Sequence, residues 1–320
     1  MNKEYSRDDS FIDRLASFFK ESGWLNINFV KPIKNHVLYT VTEDGNAYIL
    51  KGYRSKRILE QQWQFFEVVD RTSYTFIRFP NGSQYIKGYG FYWTMSPYIK
   101  GESLDYSVEE DRIAAVETIA NFHHSSAGVV LDHPRLNPPL YLKWKSRIGR
   151  LEATELILKK HGYTALYQDI VTVMNMLLER FSQLDWHVIE KKAVDLSTWI
   201  HGDVASHNFL RDNKKQVHLI DFDLLSLSPQ TYDYIQLGQR FLPYLESDLH
   251  TLLNHSLSNK VADKETWLLG VAIPADIIRE WGYFLQSEPM EEDINDYLIQ
   301  LTEEWMQRKK FVEAVMLMLN

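Results

Sequence analysis

Asp203, Asn208, Asp221 and Asp223 all fall within the stretch Trp199 to Asp223, W-I-H-G-D-V-A-S-H-N-F-L-R-D-N-K-K-Q-V-H-L-I-D-F-D. Carboxylates and a side-chain amide are hard oxygen donors, suited to Mg²⁺ rather than to a soft metal. The residues between them give these groups a reason to meet. Phe209-Leu210 and the apolar run Val217 to Phe222 read as two short strands, and Asp212-Asn213-Lys214-Lys215 is a polar turn of the kind that closes a hairpin. Such a hairpin brings Asp203, Asn208 and Asp221 to one end of a small sheet.

Other chemistries find less support. His201, two residues before Asp203, reads as a core histidine that bonds the loop backbone. His207 and the His123-His124 pair sit in no H-E-x-x-H arrangement, and His201-Gly202-Asp203 lacks the downstream Asn-His motif of a two-metal phosphoesterase. There is no cysteine, so disulfides and thiolate metal sites are excluded. The formal net charge of −8 argues against nucleic acid as the main partner and mildly favours a cationic small molecule. The first twenty residues carry charges throughout, and no window of eighteen is wholly apolar. A soluble, cytoplasmic protein without a transmembrane segment is expected.

The elements that must position these residues follow from periodicity. Ser10 to Phe19 reads as an amphipathic helix with Phe11, Leu15, Phe18 and Phe19 on one face. Val37, Tyr39 and Val41 alternate as a strand, Glu43-Asp44-Gly45-Asn46 turns the chain, and Ala47 to Leu50 returns, with Lys51 directly after. Ser55 to Val69 is a helix carrying Glu60. Tyr74 to Arg78, Tyr85 to Ile86 and Phe91 to Met95 are strand-like, with a turn at Pro80-Asn81-Gly82-Ser83. Beyond Pro97 the pattern is helical: Val108 to Ser125, Leu142 to Lys160 and Ala165 to Leu184, then, after the hairpin, Tyr232 to Phe241, Glu246 to Ser256, Pro274 to Gln286 and Met290 to Leu319. The expected fold class is α+β, with a small antiparallel β-rich N-terminal lobe over residues 1–96 and a larger, mainly helical lobe over 97–320.

This order of elements resembles the aminoglycoside phosphotransferase and choline kinase branch of the protein-kinase-like fold. The residues that carry the resemblance are the hairpin with Lys51, the helix with Glu60, Gly101-Glu102-Ser103-Leu104, Ala120-Asn121-Phe122-His123, His201-Gly202-Asp203 with Asn208, and Ile220-Asp221-Phe222-Asp223. The wording His-Gly-Asp-Val-Ala-Ser-His-Asn-Phe-Leu is most similar to bacterial spore-coat-associated members of that branch. The resemblance implies a bilobal kinase-like protein that uses ATP and Mg²⁺ to phosphorylate a hydroxyl of a small molecule. It implies Asp203 as the base, Asn208 and Asp221 as magnesium ligands, Lys51 on the α- and β-phosphates, Glu60 paired with Lys51, and adenine against Met95, Ser96 and Tyr98. It also implies spore-coat proteins as partners and a coat-associated location, and it admits an alternative, a non-catalytic kinase-fold assembly protein.

The chain departs from the wider kinase pattern at two places. No glycine lies between Phe29 and Val41, so Lys31-Pro32-Ile33-Lys34-Asn35-His36 has to serve as the phosphate-covering loop. The Asp-Phe-Gly triplet is here Asp221-Phe222-Asp223, and Asp223 reads equally as a ligand of a second metal ion or as the cap of the next turn.

Overall fold

A computed structural model of the chain describes residues 5–69 and 75–320, without the side chains of residues 5–11. The expected roles of Phe11 and Tyr74 therefore lie outside the described residues. The chain gathers into two units. One runs to Ser103 and includes Val129–Arg135 and Leu210–Asp223; the other comprises Leu104–Gly128, Leu136–Phe209 and Leu224–Asn320.

The first unit is built on a five-stranded antiparallel sheet in the order β1-β2-β3-β5-β4. Its strands are β1 (Ile27–Lys34), β2 (Val37–Thr42), β3 (Ala47–Tyr53), β4 (Ile86–Gly88) and β5 (Phe91–Pro97). Side chains alternate across a pleated sheet, and directly paired residues share a face. Leu38 pairs with Leu50 and Leu50 with Met95, and these three pack with Leu15 and Phe19 of helix α1 (Tyr5–Gly23) into one buried core. Val37 pairs with Lys51 and Lys51 with Thr94, which sets this row on the opposite face. Helix α2 (Lys56–Val68) lies on that second face, where the Tyr53 hydroxyl donates to Gln62 Oε1. The Ser55 hydroxyl accepts from the Ile58 amide and caps the start of α2.

A short strand β6 (Gly101–Ser103) joins β8 (Phe209–Asp212) and β9 (Val217–Leu219) in a three-stranded sheet. Gly101 is required there because a Cβ would sit 2.6 Å from the Arg211 carbonyl oxygen. The strand expected to run from Val217 to Phe222 stops at Leu219. Asp221 takes φ +64°, a left-handed conformation that breaks the pleat, and Phe222–Leu224 is a single 3₁₀ turn.

The second unit is mainly helical: α3 (Glu109–Ser126), α4 (Leu140–Glu152), α5 (Glu155–Lys160), α6 (Thr164–Ser182), α7 (Trp186–Asp195), α8 (Thr231–Phe241), α9 (Leu249–Asn254), α10 (Lys264–Ala272), α11 (Ala275–Gln286) and α12 (Glu291–Met318). A two-stranded ribbon, β7 (Trp199–Ile200) with β10 (Ser226–Leu227), completes it. Helices α8 and α10 meet closely because two glycines face the seam. A Cβ on Gly238 would lie 2.6 Å from Val271 Cγ2, and one on Gly270 would lie 2.5 Å from Ile235 Cδ1.

Two helical expectations change. Leu142 to Lys160 is two helices, broken at Ala153-Thr154, where the Thr154 hydroxyl donates to the Leu151 carbonyl and accepts from the Trp281 indole. Glu246 and Ser247 take positive φ, so the helix expected from Glu246 starts only at α9. Helices α7 and α10 are additional. The α+β class holds, and no helix of the described residues is long and apolar enough to cross a membrane.

Candidate active site

In the first unit Lys51 brings the C-terminal carboxylates of the motif together. Its Nζ lies 2.7 Å from Asp221 Oδ1 and 2.7 Å from Asp223 Oδ1. Lys34, the last residue of β1, approaches Asp221 Oδ2 at 3.0 Å. Burial opposes the charge on Asp221, but the Lys51 and Lys34 ammonium groups hold its carboxyl well below the usual carboxylate range. Two carboxylates that reach one ammonium are close enough to reach one small cation, and their hard oxygens are the donors Mg²⁺ takes. Phe222 between them is buried and packs edge-on against Phe66 of α2 at 5.0 Å, which fixes the turn that carries both acids.

Lys34 was not singled out by sequence. The hairpin between β1 and β2 closes over Asn35-His36 with His36 at φ +59°, so Lys34 belongs to a strand rather than to a long covering loop.

The other expected nucleotide residues divide by face. Ser96 pairs with Ile49 and so lies on the Lys51 face, and Tyr98 reaches the same face by stacking edge-on against Tyr39 at 4.7 Å. Met95 belongs to the opposite face, where its side chain is part of the α1 core. The Tyr98 amide donates to the Ala47 carbonyl at 3.0 Å. Glu60 ion-pairs with Lys56, one turn away, and not with Lys51. The phase of α2 explains this: it buries Leu59, Gln61, Gln62 and Trp63 and leaves Glu60 half exposed.

In the second unit, Asp203 sits on a loop held from behind. Asp233 of α8, fully buried, accepts the backbone amides of His201 at 2.8 Å and Gly202 at 2.9 Å, and bonds His123 Nε2 at 3.0 Å. Gly202 has φ +84°, and a Cβ there would meet the Leu224 carbonyl oxygen at 2.8 Å, so no other residue fits the bend. His201 is fully buried and its Nδ1 accepts the Asp203 amide at 3.3 Å, the backbone-supporting role expected of it. Asn208 is buried on a 3₁₀ turn, and its side-chain amide donates to the Asp203 carbonyl at 2.9 Å, which leaves its own oxygen as the acceptor.

The Asp203 carboxylate accepts from Arg240 Nη2 at 3.0 Å. Burial and the neighbouring Arg279 push the Arg240 guanidinium down, against the pull of Asp203. Both line a cavity of about 990 Å³ in this unit, together with Tyr106, Arg147, Arg279 and Tyr283. Tyr106 is fixed by donating its hydroxyl to the Val204 carbonyl at 2.7 Å, and burial pushes that hydroxyl above the usual phenol range. Sequence reading missed Asp233 and Arg240. The signal for both was a pair of charged residues seven apart on an otherwise uncharged helix.

The sequence profile described as the phosphotransferase enzyme family matches residues 32–257, more than half of the chain. The chain belongs to that family. A comparison with curated proteins found no match. Among solved structures, this phosphotransferase is similar to an aminoglycoside phosphotransferase from Alicyclobacillus acidocaldarius, at 16% identity and TM-score 0.71, covering 92% of this chain and 93% of that one. It is also similar to a spectinomycin phosphotransferase in complex with ADP and spectinomycin, at 14% identity and TM-score 0.57, covering 94% and 93%. A choline kinase from Streptococcus pneumoniae aligns at 14% identity and TM-score 0.54, over 95% of this chain and 99% of that one. The phosphotransferase thus has the expected kinase-like fold, with an antiparallel sheet in the N-terminal part and helices in the C-terminal part. None of these three relatives is described as a spore-coat protein.

Proposed function

We propose that this phosphotransferase moves the γ-phosphoryl group of ATP, in the presence of Mg²⁺, to a hydroxyl group of a small molecule. The observation that carries the reading is the Lys51 ammonium 2.7 Å from both Asp221 and Asp223. Phosphoryl transfer asks a protein for positioning and for neutralisation of phosphate charge. Lys51 and Lys34 are the cations for phosphate oxygens. Asp221 and Asp223 are the residues that would hold Mg²⁺, which when bound would supply neutralisation of phosphate charge. Ser96 and Tyr98, on the Lys51 face, border the adenine.

Asp203 is the group that orients and accepts the proton of the acceptor hydroxyl. It is supported by three features: an open carboxylate, a cavity large enough for a small molecule, and a loop backbone locked by Asp233. A purine nucleotide is supported by similar phosphotransferases solved with ADP and with GDP.

Thermal-shift titration with ATP and Mg²⁺ tests the reading. Saturating nucleotide at about a hundred times Kd stabilises by roughly 2.7 kcal/mol, a shift of a few degrees. The shift is expected to disappear in Asp221→Asn, and ADP formation is expected to fall at least about a hundredfold in Asp203→Asn. Unchanged melting with Mg·ATP overturns the proposal.

One observation favours a second reading, a kinase-fold assembly protein that transfers nothing. Helix α2 gives Lys51 no carboxylate partner, because Glu60 is on Lys56 and the buried polar residues of α2 are Gln61 and Gln62. Nucleotide binding without any ADP formation across an acceptor panel is the result that selects it.

A further inference from the structure

The cavity beside Asp203 carries its own charge pattern, opposite in sense to the chain's net acidity. Its carboxylates are already matched. Asp203 is on Arg240. Asp276 is gripped by both terminal nitrogens of the buried Arg308, at 3.1 and 2.6 Å. Glu280 is on Arg279 at 2.8 Å, and Asp105 accepts the Ser107 amide at 2.9 Å.

The arginines are not all matched. Arg147 spends Nη1 on the Ala275 carbonyl at 2.9 Å, and no carboxylate of the described residues forms an ion pair with it or with Arg150, one turn further along α4. Burial strips Arg147 of water and Arg279 repels it, and nearby Asp276 and Tyr283 offset only part of this, so its guanidinium is pushed down to about 10. Two like charges held together in a half-buried wall cost free energy unless an anion sits between them. Guanidinium forks are also the side chains best suited to a planar carboxylate or a phosphate.

We propose that the acceptor is an oxyanion-bearing hydroxyl compound, whose phosphate or carboxylate is held by Arg147 and Arg150 while its hydroxyl faces Asp203. The inference rests on the phosphotransfer reading above. The step balances simply. The hydroxyl oxygen forms a bond to the γ-phosphorus of ATP, the bond from that phosphorus to the β,γ-bridging oxygen breaks, ADP leaves with the electron pair, and Asp203 takes the hydroxyl proton. Arg240 has a different task, the orientation of Asp203.

The full chain, supplied with ATP and Mg²⁺, is tested for ADP formation with glucose, glucose 6-phosphate, gluconate, choline and kanamycin. The expected result is that kcat/KM for the phosphate-bearing or the carboxylate-bearing member exceeds that for glucose by about tenfold to a hundredfold, the size of one or two charge-assisted bonds. Which of the two leads identifies the oxyanion. In Arg147→Gln and in Arg150→Gln that preference collapses toward unity through KM, and the exposed Arg150 keeps the test valid if Arg147→Gln fails to fold. Equal or better rates with glucose, choline or kanamycin overturn the proposal, as does a preference that survives both substitutions.

Calorimetric titration with inorganic phosphate, without nucleotide, separates the two levels of inference. Binding that is lost in Arg150→Gln, in a protein that forms no ADP with any acceptor, supports the anion site and sinks the transferase reading. Phosphate binding that Arg147→Gln and Arg150→Gln leave intact sinks the anion site alone.

Discussion

Arg240 Nη2 lies 3.0 Å from Asp203 Oδ1, so the carboxylate proposed as base has a fixed cationic partner before any acceptor arrives. The guanidinium holds one oxygen and leaves the other for a hydroxyl proton. Loss of that hold allows the carboxylate to rotate away, and small misplacements of a reacting group are costly.

Arg240→Gln is therefore expected to lower kcat by about tenfold or more with little change in the KM for ATP. Arg240→Lys should recover part of the loss, since a lysine restores the charge but not the fork. Steady-state kinetics at saturating nucleotide decide it, and a pure KM effect for ATP would refute the positioning role.

Asp233 is a stability residue as much as a positioning one. Asp233→Ala leaves the His201 and Gly202 amides and His123 Nε2 without their buried acceptor, and it should cost roughly 3–5 kcal/mol. Asp233→Asn keeps the shape and one acceptor oxygen, and should cost less. Urea denaturation monitored by tryptophan fluorescence gives both values.

The Lys51–Asp221 pair predicts a pH-dependent stability. A carboxyl whose folded pKa is depressed contributes stability that is complete above its unfolded value, about 3.9, and is lost as pH falls below it toward the folded value. The stability difference between the native chain and Lys51→Met should thus be largest at neutral pH and shrink below about pH 4. A difference that is constant from pH 7 to pH 3 would contradict the pairing.

Asp221 also has a conformational preference to satisfy. At φ +64° asparagine is tolerated, whereas alanine pays about 1–2 kcal/mol for the left-handed backbone. Asp221→Ala should accordingly be less stable than Asp221→Asn by about that amount in chemical denaturation, while both lose the Mg·ATP-dependent shift.

Much of this was legible in the chain itself. The alternation of Val37, Tyr39 and Val41 and the turn at Glu43–Asn46 gave the β2–β3 hairpin, and the position of Lys51 on it followed. What was not legible depends on tertiary partners. The break at Thr154 interrupts no periodicity and comes from a hydroxyl shared with Trp281. From Thr266 onward helix α10 is buried on all sides, so it shows no apolar stripe to recognise. Glu60 was paired with the wrong lysine because the exposed face of α2 is set by packing, not by spacing alone. Met95 fell on the α1 face because strand register, which sequence does not print, decides the side. The charge of the cavity was hidden too, since its arginines come from α4, α8 and α11.

Asp233 and Arg240 stand two turns apart on the same side of α8. One grips the backbone of the loop and the other grips the carboxylate at its tip, so the loop takes its position from a single rod. That rod is seated against α10 through Gly238, with no room for a methyl group. The seam between the two helices therefore acts as the fixture on which Asp203 is aligned. A methyl added at Gly238, which lies outside the set of cavity-lining residues, would tilt the rod and displace both grips together, and it would register as a catalytic defect in a protein whose reacting groups are all intact.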